Sequence, residues 1–569
     1  MAPNPSATTA VARPAGSALG RRRLLAAVFV VFAVLWFGGL ELRGLFAPDE
    51  GRYAEIAREM LANGDWITPR LNDLKYFEKP PLQYWATAAL FALLGEHQWT
   101  ARLWTALTGF GGALVVALVA AQIGLRRDAW LAGLMLASSW GYFLAGQFVT
   151  LDMGLTFFLT CALGAFLLAQ RTGLDADAER GWMLAAWASM ALAVLSKGLI
   201  GVVLPGLALA VYAVTARDAA LLRRLHLLPG LAVLAAIAVP WFLLVQAANP
   251  EFFQFFFVQE HFERFVEPGH NRPGSVWYFL PIVLVAAMPW TPAMIAAIAR
   301  RGPAHAEQSC RIDVDRFLLV WAATILVFFS LSSSKLPPYV LPALPALALL
   351  TARRFPRTED ARAAIGLTAL AAALAACAFL IAIPALPKWE KVADLGPLLP
   401  AASTWLTAAS LALGGGAAGT WLLARTDRAR AALVALSATS LIFGQLALAG
   451  AHAVDGYYSS ERLVAGWLGD PPRRADDAPF YSVETFDDSL PFYLRRTVTL
   501  VEYKGELGPG IAAEPSKYVE SITRFKQDWL ASPRAYAHMT PALYEQLLAA
   551  GLPMRLLARD ARRVIVARQ

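Results

Sequence analysis

Long apolar runs separated by short charged connections fill the first four-fifths of the chain. A helix needs about 20 apolar residues to cross a bilayer. The pattern therefore predicts a polytopic α-helical membrane protein. Its candidate spans are fourteen runs near residues 24–42, 81–96, 101–122, 128–146, 151–169, 181–196, 198–216, 226–248, 276–299, 316–333, 337–354, 362–385, 401–424 and 429–452.

The arginines indicate which of these runs cross the membrane. Basic connections lie on the cytoplasmic side of membrane proteins, and from the third run onward they alternate with arginine-poor connections. If all fourteen runs crossed, the first cluster, Arg21–Arg23, would lie opposite the others. The conflict disappears if 81–96, which opens at Pro80-Pro81 and ends at Gly95-Glu96-His97, is an interfacial helix. We therefore predict thirteen spans, a cytoplasmic N-terminus and an outer loop over 43–100.

The two ends of the chain differ from this middle part. Residues 1–20 are rich in Ala, Pro, Ser and Thr and are predicted to be a disordered cytoplasmic tail. No cleavage site follows, so the first helix is predicted to be retained. From 453 to 569 charges are frequent and short β-rich segments alternate with helix-like ones. The sequence thus predicts a membrane domain over 21–452 and an α/β domain over 453–569 outside the membrane.

Composition supports this class of protein. Of 569 residues, 57% are hydrophobic and 16% are charged, against about 25% charged in soluble domains. The net charge of +8 alone would suit a polyanionic partner, but the positions of Arg and Lys matter more than their sum, and no nucleic-acid partner is expected. The cysteines Cys161, Cys310 and Cys377 are too scattered for a disulfide framework or a metal motif.

Polar side chains from six segments converge on the predicted outer face. A charge at membrane depth costs about 3 kcal/mol, so this convergence predicts an active site. The residues concerned are Asp49, Glu50, Arg52, Tyr53, Tyr76, Glu78, Lys79, Asp152, Lys197, Glu260, His261, Glu263, Arg264, His270, Arg272, Lys335 and Tyr339.

Several of these residues also fit simpler roles. Asp49 and Asp152 are placed to cap helices, a role worth about 1 kcal/mol, and Lys79 and Lys197 are placed to reach lipid headgroups. Arg264 also fits nonspecific contact with lipid phosphates. Glu78 with His261 or His270 would suit a divalent metal, although their spacing lacks the close repeats of a metal motif.

Carboxylates beside Lys and Arg suit a reaction in which a phosphate is bound or leaves. Basic side chains hold phosphate oxygens and stabilise the charge that develops on the leaving group. The chain has no P-loop motif, and nucleotide-activated substrates are scarce outside the cytoplasmic membrane. A phosphate anchored to a membrane lipid is therefore the expected donor.

Five motifs resemble a known family. The chain is similar to lipid-phosphate-sugar glycosyltransferases of the GT-C fold and, among them, to the bacterial undecaprenyl phosphate-4-amino-4-deoxy-L-arabinose (aminoarabinose) transferases. The resemblance runs through about residues 20–350. The motifs are Asp49-Glu50-Gly51-Arg52-Tyr53-Ala54-Glu55-Ile56, Gly64-Asp65-Trp66, Tyr76-Phe77-Glu78-Lys79-Pro80-Pro81-Leu82, Ser196-Lys197-Gly198 and Ser333-Ser334-Lys335-Leu336-Pro337.

The resemblance implies transfer of aminoarabinose from undecaprenyl phosphate to a lipid A phosphate at the periplasmic face of the inner membrane, which gives polymyxin resistance. It implies that Asp49 is the principal catalytic carboxylate and Asp152 an assisting one. Lys79, Arg264 and Tyr339 would bind the donor phosphate. The remaining cavity residues would be Glu50, Arg52, Tyr53, Tyr76, Glu78, Lys197 and Lys335. The protein is expected to act as a monomer among membrane lipids, with the need for a divalent metal left open.

Two other functions stay open at this stage. A related GT-C enzyme would move a hexose from a polyprenyl phosphate to protein hydroxyls, with Asp49 as a true base. A lipid transporter or flippase would place ionisable residues at the membrane midplane and show paired repeats. The ionisable residues here lie at span ends, and the halves show no symmetry.

Overall fold

The computed structural model describes residues 16–125, 128–263, 274–300, 309–356, 360–386, 393–426, 428–469 and 477–568. A bundle of apolar helices occupies residues 16–452, and a smaller α/β domain follows it. The bundle helices are α1 (Gly16–Phe37), α2 (Asp49–Asn63), α3 (Leu82–Leu94), α4 (Gln98–Gln122), α5 (Ala129–Ala137), α6 (Trp140–Ala145), α7 (Leu151–Ala169), α8 (Ala176–Lys197), α9 (Ile200–Ala216), α10 (Leu221–Arg224), α11 (Leu227–Ala248), the π-helical α12 (Gln254–Glu263), α13 (Phe279–Ala286), α14 (Thr291–Ala299), α15 (Val314–Leu331), α16 (Leu344–Arg354), α17 (Asp360–Ala382), α18 (Leu399–Arg425) and α19 (Ala429–His452).

Every predicted apolar run is helical. In the described part of the chain, seven helices are long and apolar enough to cross a membrane, and α13 with α14, bent by 115°, would be an eighth if the pair forms one broken span. The other five predicted spans fall on α1, α5 with α6, α8, α9 and α16, the last preceded by a 3₁₀ helix, Pro337–Ala343. These five are shorter, interrupted or less apolar, so thirteen crossings stay a prediction. Helix α1 begins at Gly16, so residues 16–20 belong to it and not to the predicted tail.

The run at 81–96 forms a helix that is too short to span. Its 13 residues extend about 20 Å at 1.5 Å per residue, against a hydrocarbon core of about 30 Å. Tyr84, Ala88 and Phe91 of α3 pack in one hydrophobic cluster with Ile56 of α2 and Phe492 of the C-terminal domain. This position agrees with the interfacial helix that the arginine pattern predicts.

The basic connections meet at one end of the bundle. Arg353 and Arg354 both bind Asp315, at 2.7 and 2.8 Å, and Arg353 donates to the carbonyl of Ile123. Arg311 pairs with Glu179 at 2.6 Å. The loop 43–100 lies instead with the C-terminal domain, at the ends of α4 and α7 marked by Arg102 and Val149. These basic connections and the loop 43–100 therefore lie at opposite ends of the bundle, as the arginine pattern predicts.

The C-terminal domain is a mixed six-stranded sheet with helices against it. Its strand order is β5-β4-β3-β6-β8-β7; β3, β4, β5 and β6 run parallel, and β8 lies antiparallel to β6 and β7. The predicted strands at 480–483, 498–501 and 563–566 are confirmed. The strands are β3 (Phe480–Val483), β4 (Thr499–Val501), β5 (Tyr518–Val519), β6 (Tyr536–Met539), β7 (Met554–Arg559) and β8 (Val564–Arg568), and the helices are α20 (Asp455–Tyr458), α21 (Glu461–Leu468), α22 (Leu490–Leu494), α23 (Gly508–Ala513), α24 (Ile522–Ala531) and α25 (Pro541–Ala549).

The outer loop and the C-terminal domain share one hydrophobic core. Leu45, Tyr53 and Leu74 of the loop are buried in the same cluster as Leu490 and Leu500 of the domain. A small hairpin in the loop, β1 (Arg70–Leu71) and β2 (Leu74–Lys75), lies between α2 and α3 along the chain. The loop that carries most predicted site residues is thus a packed part of the fold.

Candidate active site

Helix α2 carries the acid pair at its first turn. Asp49 and Glu50 are favoured there because carboxylates interact well with the positive end of the helix dipole, and Gly64, at φ 68°, ends the helix in the left-handed conformation. Most of α2 is buried although its sequence is polar. Buried charges need partners, so the pairing of each charged side chain indicates its role.

Glu50 points into the protein and is fully paired. Its carboxylate accepts hydrogen bonds from Arg43, from Arg102 Nε at 2.9 Å and from the backbone N–H of Val149 at 3.1 Å. Burial alone would raise the pKa of Glu50, but the charges of Arg102 and Arg43 outweigh it and hold this pKa at about 2. Glu50 lies in the wall of the cavity described below, and its charge joins three segments of the fold.

The depressed pKa of Glu50 makes stability depend on pH. A carboxyl with a pKa lower in the folded than in the unfolded protein contributes stability that is lost as pH falls through the folded value. With values of about 2 and 4.5, the wild type is expected to lose on the order of 3 kcal/mol between about pH 5 and pH 2. Unfolding in detergent micelles across this range should show a steeper fall than in Glu50→Gln. Parallel curves for the two proteins would contradict this role of Glu50.

Arg52 lies at the centre of a second cluster, which faces the site. Its Nη2 is 2.6 Å from Glu506 Oε1, its Nε is 3.6 Å from Asp488, and its Nη1 is 3.6 Å from Asp49. The hydroxyl of Tyr76 lies 3.4 Å from Nη1. One guanidinium thus faces three carboxylates, two of them from the C-terminal domain. Burial, followed by the charge of Glu78, raises the pKa of Tyr76, which keeps its hydroxyl a donor.

Asp49 differs from its neighbours in being open. Its side chain is 56% exposed, and Arg52 at 3.6 Å is its ion-pair partner among the described residues. It lines the apolar cavity described below. Burial, followed by the charge of Asp49, raises the pKa of the adjacent Tyr53. Asp49 is therefore a solvent-exposed carboxyl group at the wall of the cavity, where it can contact a substrate.

A second acid and base lie at the ends of α7 and α8. Lys197 Nζ is 2.5 Å from Asp152 Oδ1 and 5.0 Å from the ring centre of Tyr339. Three predicted residues from three distant segments therefore form one group. On the outer loop, Lys79 Nζ lies 4.0 Å from the Glu78 carboxylate and donates to the Glu78 carbonyl at 2.9 Å.

Two cavities adjoin these groups. The larger has a volume of about 920 Å³ and is lined almost wholly by apolar side chains of α6, α13 and α19, the 3₁₀ segment at 337–343 and residues 46–50. Asp49 lines one part of it. The smaller, of about 270 Å³, has a mixed lining, in which apolar side chains stand beside the charged side chains of Lys75, Glu78, Glu251 and Glu506. Arg52 connects them, because it pairs with Asp49 on one side and Glu506 on the other.

Some predicted site residues are not brought into these groups. Lys335 is buried, and its Nζ donates to the carbonyl of Ser332 in its own turn. Arg264 and His270 lie outside the described residues, and His261 is described by its backbone only. Within the described ranges, no group of three His, Cys, Asp or Glu side chains could hold a metal ion. The metal hypothesis around Glu78 stays a prediction.

The sequence did not reveal that the C-terminal domain contributes Asp488 and Glu506 to the Arg52 cluster. Burial and the charge of Glu506 raise the pKa of Asp488, although Arg52 opposes this shift. Burial and the charges of Glu78 and Asp49 raise the pKa of Glu506. The one sequence feature that pointed to this contribution is the acid pair Asp487-Asp488, which lies just before α22. Asp487 turns the other way, to Arg563 at 2.6 Å.

Two family models match separate parts of the chain. Residues 22–256 match dolichyl-phosphate-mannose-protein mannosyltransferases, and residues 471–568 match the aminoarabinose transferase C-terminal domain. The first match covers the outer loop with Asp49 and Lys79, and the second covers Asp488 and Glu506. Arg52 and Asp49 therefore lie in the region matched by the first family, and their partners Asp488 and Glu506 lie in the region matched by the second.

Curated relatives and solved structures extend these matches. The undecaprenyl phosphate-alpha-4-amino-4-deoxy-L-arabinose arabinosyl transferases of Erwinia tasmaniensis and Pseudomonas aeruginosa are 32% and 35% identical over 335 and 342 residues. Each alignment covers 58% of this chain and 59% of the relative. The crystal structure of ArnT from Cupriavidus metallidurans bound to undecaprenyl phosphate is 37% identical, with a TM-score of 0.88, over 96% of this chain and 98% of that one. The apo structure gives 37% and 0.86.

Proposed function

Because this chain belongs to the aminoarabinose transferases, glycosyltransferases of the GT-C fold, we propose that it transfers 4-amino-4-deoxy-L-arabinose from undecaprenyl phosphate to a phosphate of lipid A. The observation that carries the proposal is the apolar cavity of about 920 Å³ lined in part by the exposed carboxylate Asp49. Such a cavity suits an isoprenoid chain whose reacting end must meet a charged group. A solved relative was crystallised with undecaprenyl phosphate.

The proposed reaction is a substitution at the anomeric carbon of the donor sugar. An oxygen of the lipid A phosphate forms the new bond to this carbon, the bond to the donor phosphate breaks, and undecaprenyl phosphate leaves with the bonding electrons. The acceptor phosphate is ionised at neutral pH and needs no base. Asp49 is therefore assigned to orient the donor and to stabilise the positive charge that develops at the anomeric carbon.

The basic residues act on the phosphates. Lys79, with Arg264, holds the donor phosphate and stabilises its growing charge as it leaves. Asp152 keeps Lys197 extended beside Tyr339, which sets a second cation near the reacting groups. The smaller cavity beside Glu78 and Glu506 is assigned to the sugar end of the donor, because charged side chains line part of it.

We propose that the site faces the periplasm from the inner membrane. The support is the positive-inside rule, by which the basic end of the bundle is expected on the cytoplasmic side. Addition of a cationic sugar there lowers the negative charge of lipid A and reduces binding of cationic peptides such as polymyxin. We propose that the protein works as a monomer with both lipid substrates entering from the bilayer.

A reconstituted assay separates this function from protein glycosylation. The protein in nanodiscs should transfer aminoarabinose from its undecaprenyl phosphate donor to lipid A, and should not transfer hexose from a polyprenyl phosphate to peptide Ser or Thr. Products are identified by mass spectrometry. Hexose on the peptide with lipid A unmodified would contradict the proposal and favour the mannosyltransferase-like alternative.

Removal of the Lys79 charge is expected to affect the donor more than the acceptor. Lys79→Ala should raise the apparent KM for the donor by about 10-fold or more, since a charge-assisted hydrogen bond is worth about 1.5–3 kcal/mol. The KM for lipid A should change little. Lys526 in α24 of the C-terminal domain offers a control, because Lys526→Ala removes a lysine charge from a helix that contributes no residue to the site. Equal changes in both apparent KM values would contradict the assignment.

A further inference from the structure

The C-terminal domain touches α2 backbone to backbone at one glycine. A Cβ on Gly51 would lie 2.5 Å from the backbone N of Ser489 and 2.7 Å from the carbonyl carbon of Asp488. Real Cβ atoms do not approach other atoms this closely, and a backbone cannot move aside as a side chain tip can. The domain therefore rests directly on the helix turn that carries Asp49.

A second glycine makes the same kind of contact with the hairpin that leads to Lys79. A Cβ on Gly510 in α23 would lie 2.7 Å from the carbonyl O of Lys75 and 3.1 Å from Cβ of Leu74. Lys75 ends β2, four residues before Lys79. The segment with Asp49 and the segment that leads to Lys79 thus both contact the C-terminal domain closely.

Polar contacts fix the same two segments. The buried Asn72 side chain bonds both backbone groups of Val498, donating to its O and accepting from its N, each at 2.7 Å. Arg70 of the hairpin pairs with Glu514 at 3.0 Å. On the α2 side, Arg52 pairs with Glu506 at 2.6 Å. The attachment is therefore made of hydrogen bonds and ion pairs with defined geometry as well as of apolar packing.

We propose that the C-terminal domain is a positioning element of the active site, which sets the separation between Asp49 and Lys79. Glu506, acting through Arg52, and Gly51 and Gly510, acting through close contact, are its positioning residues. The inference rests on the proposed function for the roles of Asp49 and Lys79. A misplacement of about 1 Å can cost about 10²-fold in rate, so the domain is part of the catalytic machinery even if it never touches a substrate.

The matched pair Gly510→Ala and Gly466→Ala tests this proposal in the full-length protein. Gly466 in α21 has no atom within 4 Å of a built Cβ, so its variant should behave as wild type. Gly510→Ala should lower kcat by about 10- to 100-fold. The melting temperature of both variants in detergent shows whether each is folded. Equal kcat values in the two variants would overturn the proposal.

A second pair covers the case in which Gly510→Ala does not fold. Glu506→Gln should lower kcat, and Glu506→Asp should restore part of it, because a carboxylate can again hold Arg52. Wild-type kcat in both Glu506 variants would overturn the proposal.

Failure of the proposed function is recognised separately. If the proposed function is wrong, the wild-type protein has no transfer activity. The rise in melting temperature on addition of undecaprenyl phosphate is then measured instead. Loss of that stabilisation in Gly510→Ala but not in Gly466→Ala would support the positioning role. Its retention in both variants would refute the role.

Discussion

Replacement of Asp49 by Asn is expected to lower the rate of sugar transfer by about 10²–10³-fold, the usual cost of removing one group that stabilises transition-state charge. Asn keeps the size of Asp but has no charge to offer the anomeric carbon, and the substitution removes no capping hydrogen bond, since the N-cap of α2 is Pro48. Asp49 is exposed and lies at the start of a helix whose fold depends on other residues. The variant should therefore fold normally, and kcat should fall much more than KM changes.

An Asp-to-Asn substitution at a helix start far from the site serves as a control for the loss of one carboxylate. Asp175 begins α8 and its carboxylate accepts from the backbone N–H of Ala178 at 2.7 Å. Because Asn and Asp cap helices about equally well, Asp175→Asn should retain wild-type kcat. If a folded Asp49→Asn enzyme also kept wild-type kcat, the assignment of Asp49 to the reaction would be wrong, since the N-cap of α2 is Pro48 and no side chain caps this helix end.

Replacement of Arg102 by Ala is expected to have the largest effect on stability, about 3–5 kcal/mol. Arg102 is 1% exposed, and its guanidinium donates to Glu50 and to the backbone carbonyls of Leu40, Arg43 and Gly44. Its removal leaves the buried Glu50 charge with one of its two arginine partners, and it takes one donor from each of the three carbonyls. Chemical or thermal unfolding in micelles measures the loss.

An exposed ion pair provides the comparison. Arg430 is 71% exposed and lies 3.4 Å from Asp128, a type of pair that contributes less than about 1 kcal/mol. Arg430→Ala should therefore unfold close to wild type. Equal losses of unfolding free energy in the two arginine variants would contradict the prediction that the buried Glu50–Arg102 pair stabilises the fold more than an exposed pair does.

The acid pair shows how far the sequence alone could lead. Its composition and position predicted that charges at 49 and 50 were functional, and the structure places both at the wall of one cavity. Neighbours on a helix point about 100° apart, so the two acids diverge, but the sequence could not show which of them is buried. The partners of Glu50 lie 7 and 52 positions away, and no local pattern links them.

The C-terminal domain was predictable in its elements but not in its role. Alternating β-rich and helix-like segments predicted an α/β domain, and β3 spans the predicted residues 480–483. Its contact with α2 depends on a crossover sheet order, β5-β4-β3-β6-β8-β7, and on glycines with no side chain to reveal a partner. Charge and hydropathy patterns carry no signal for such backbone contacts.

The lipid A mass spectrum of a strain that expresses this chain tests the central claim most directly. Wild-type protein should add an aminopentose to a lipid A phosphate, and Asp49→Asn protein, present in the membrane at equal amount, should leave lipid A unmodified. Unmodified lipid A with the wild-type protein and its donor lipid both present would contradict the proposed function. Equal modification by the two proteins would contradict the role of Asp49.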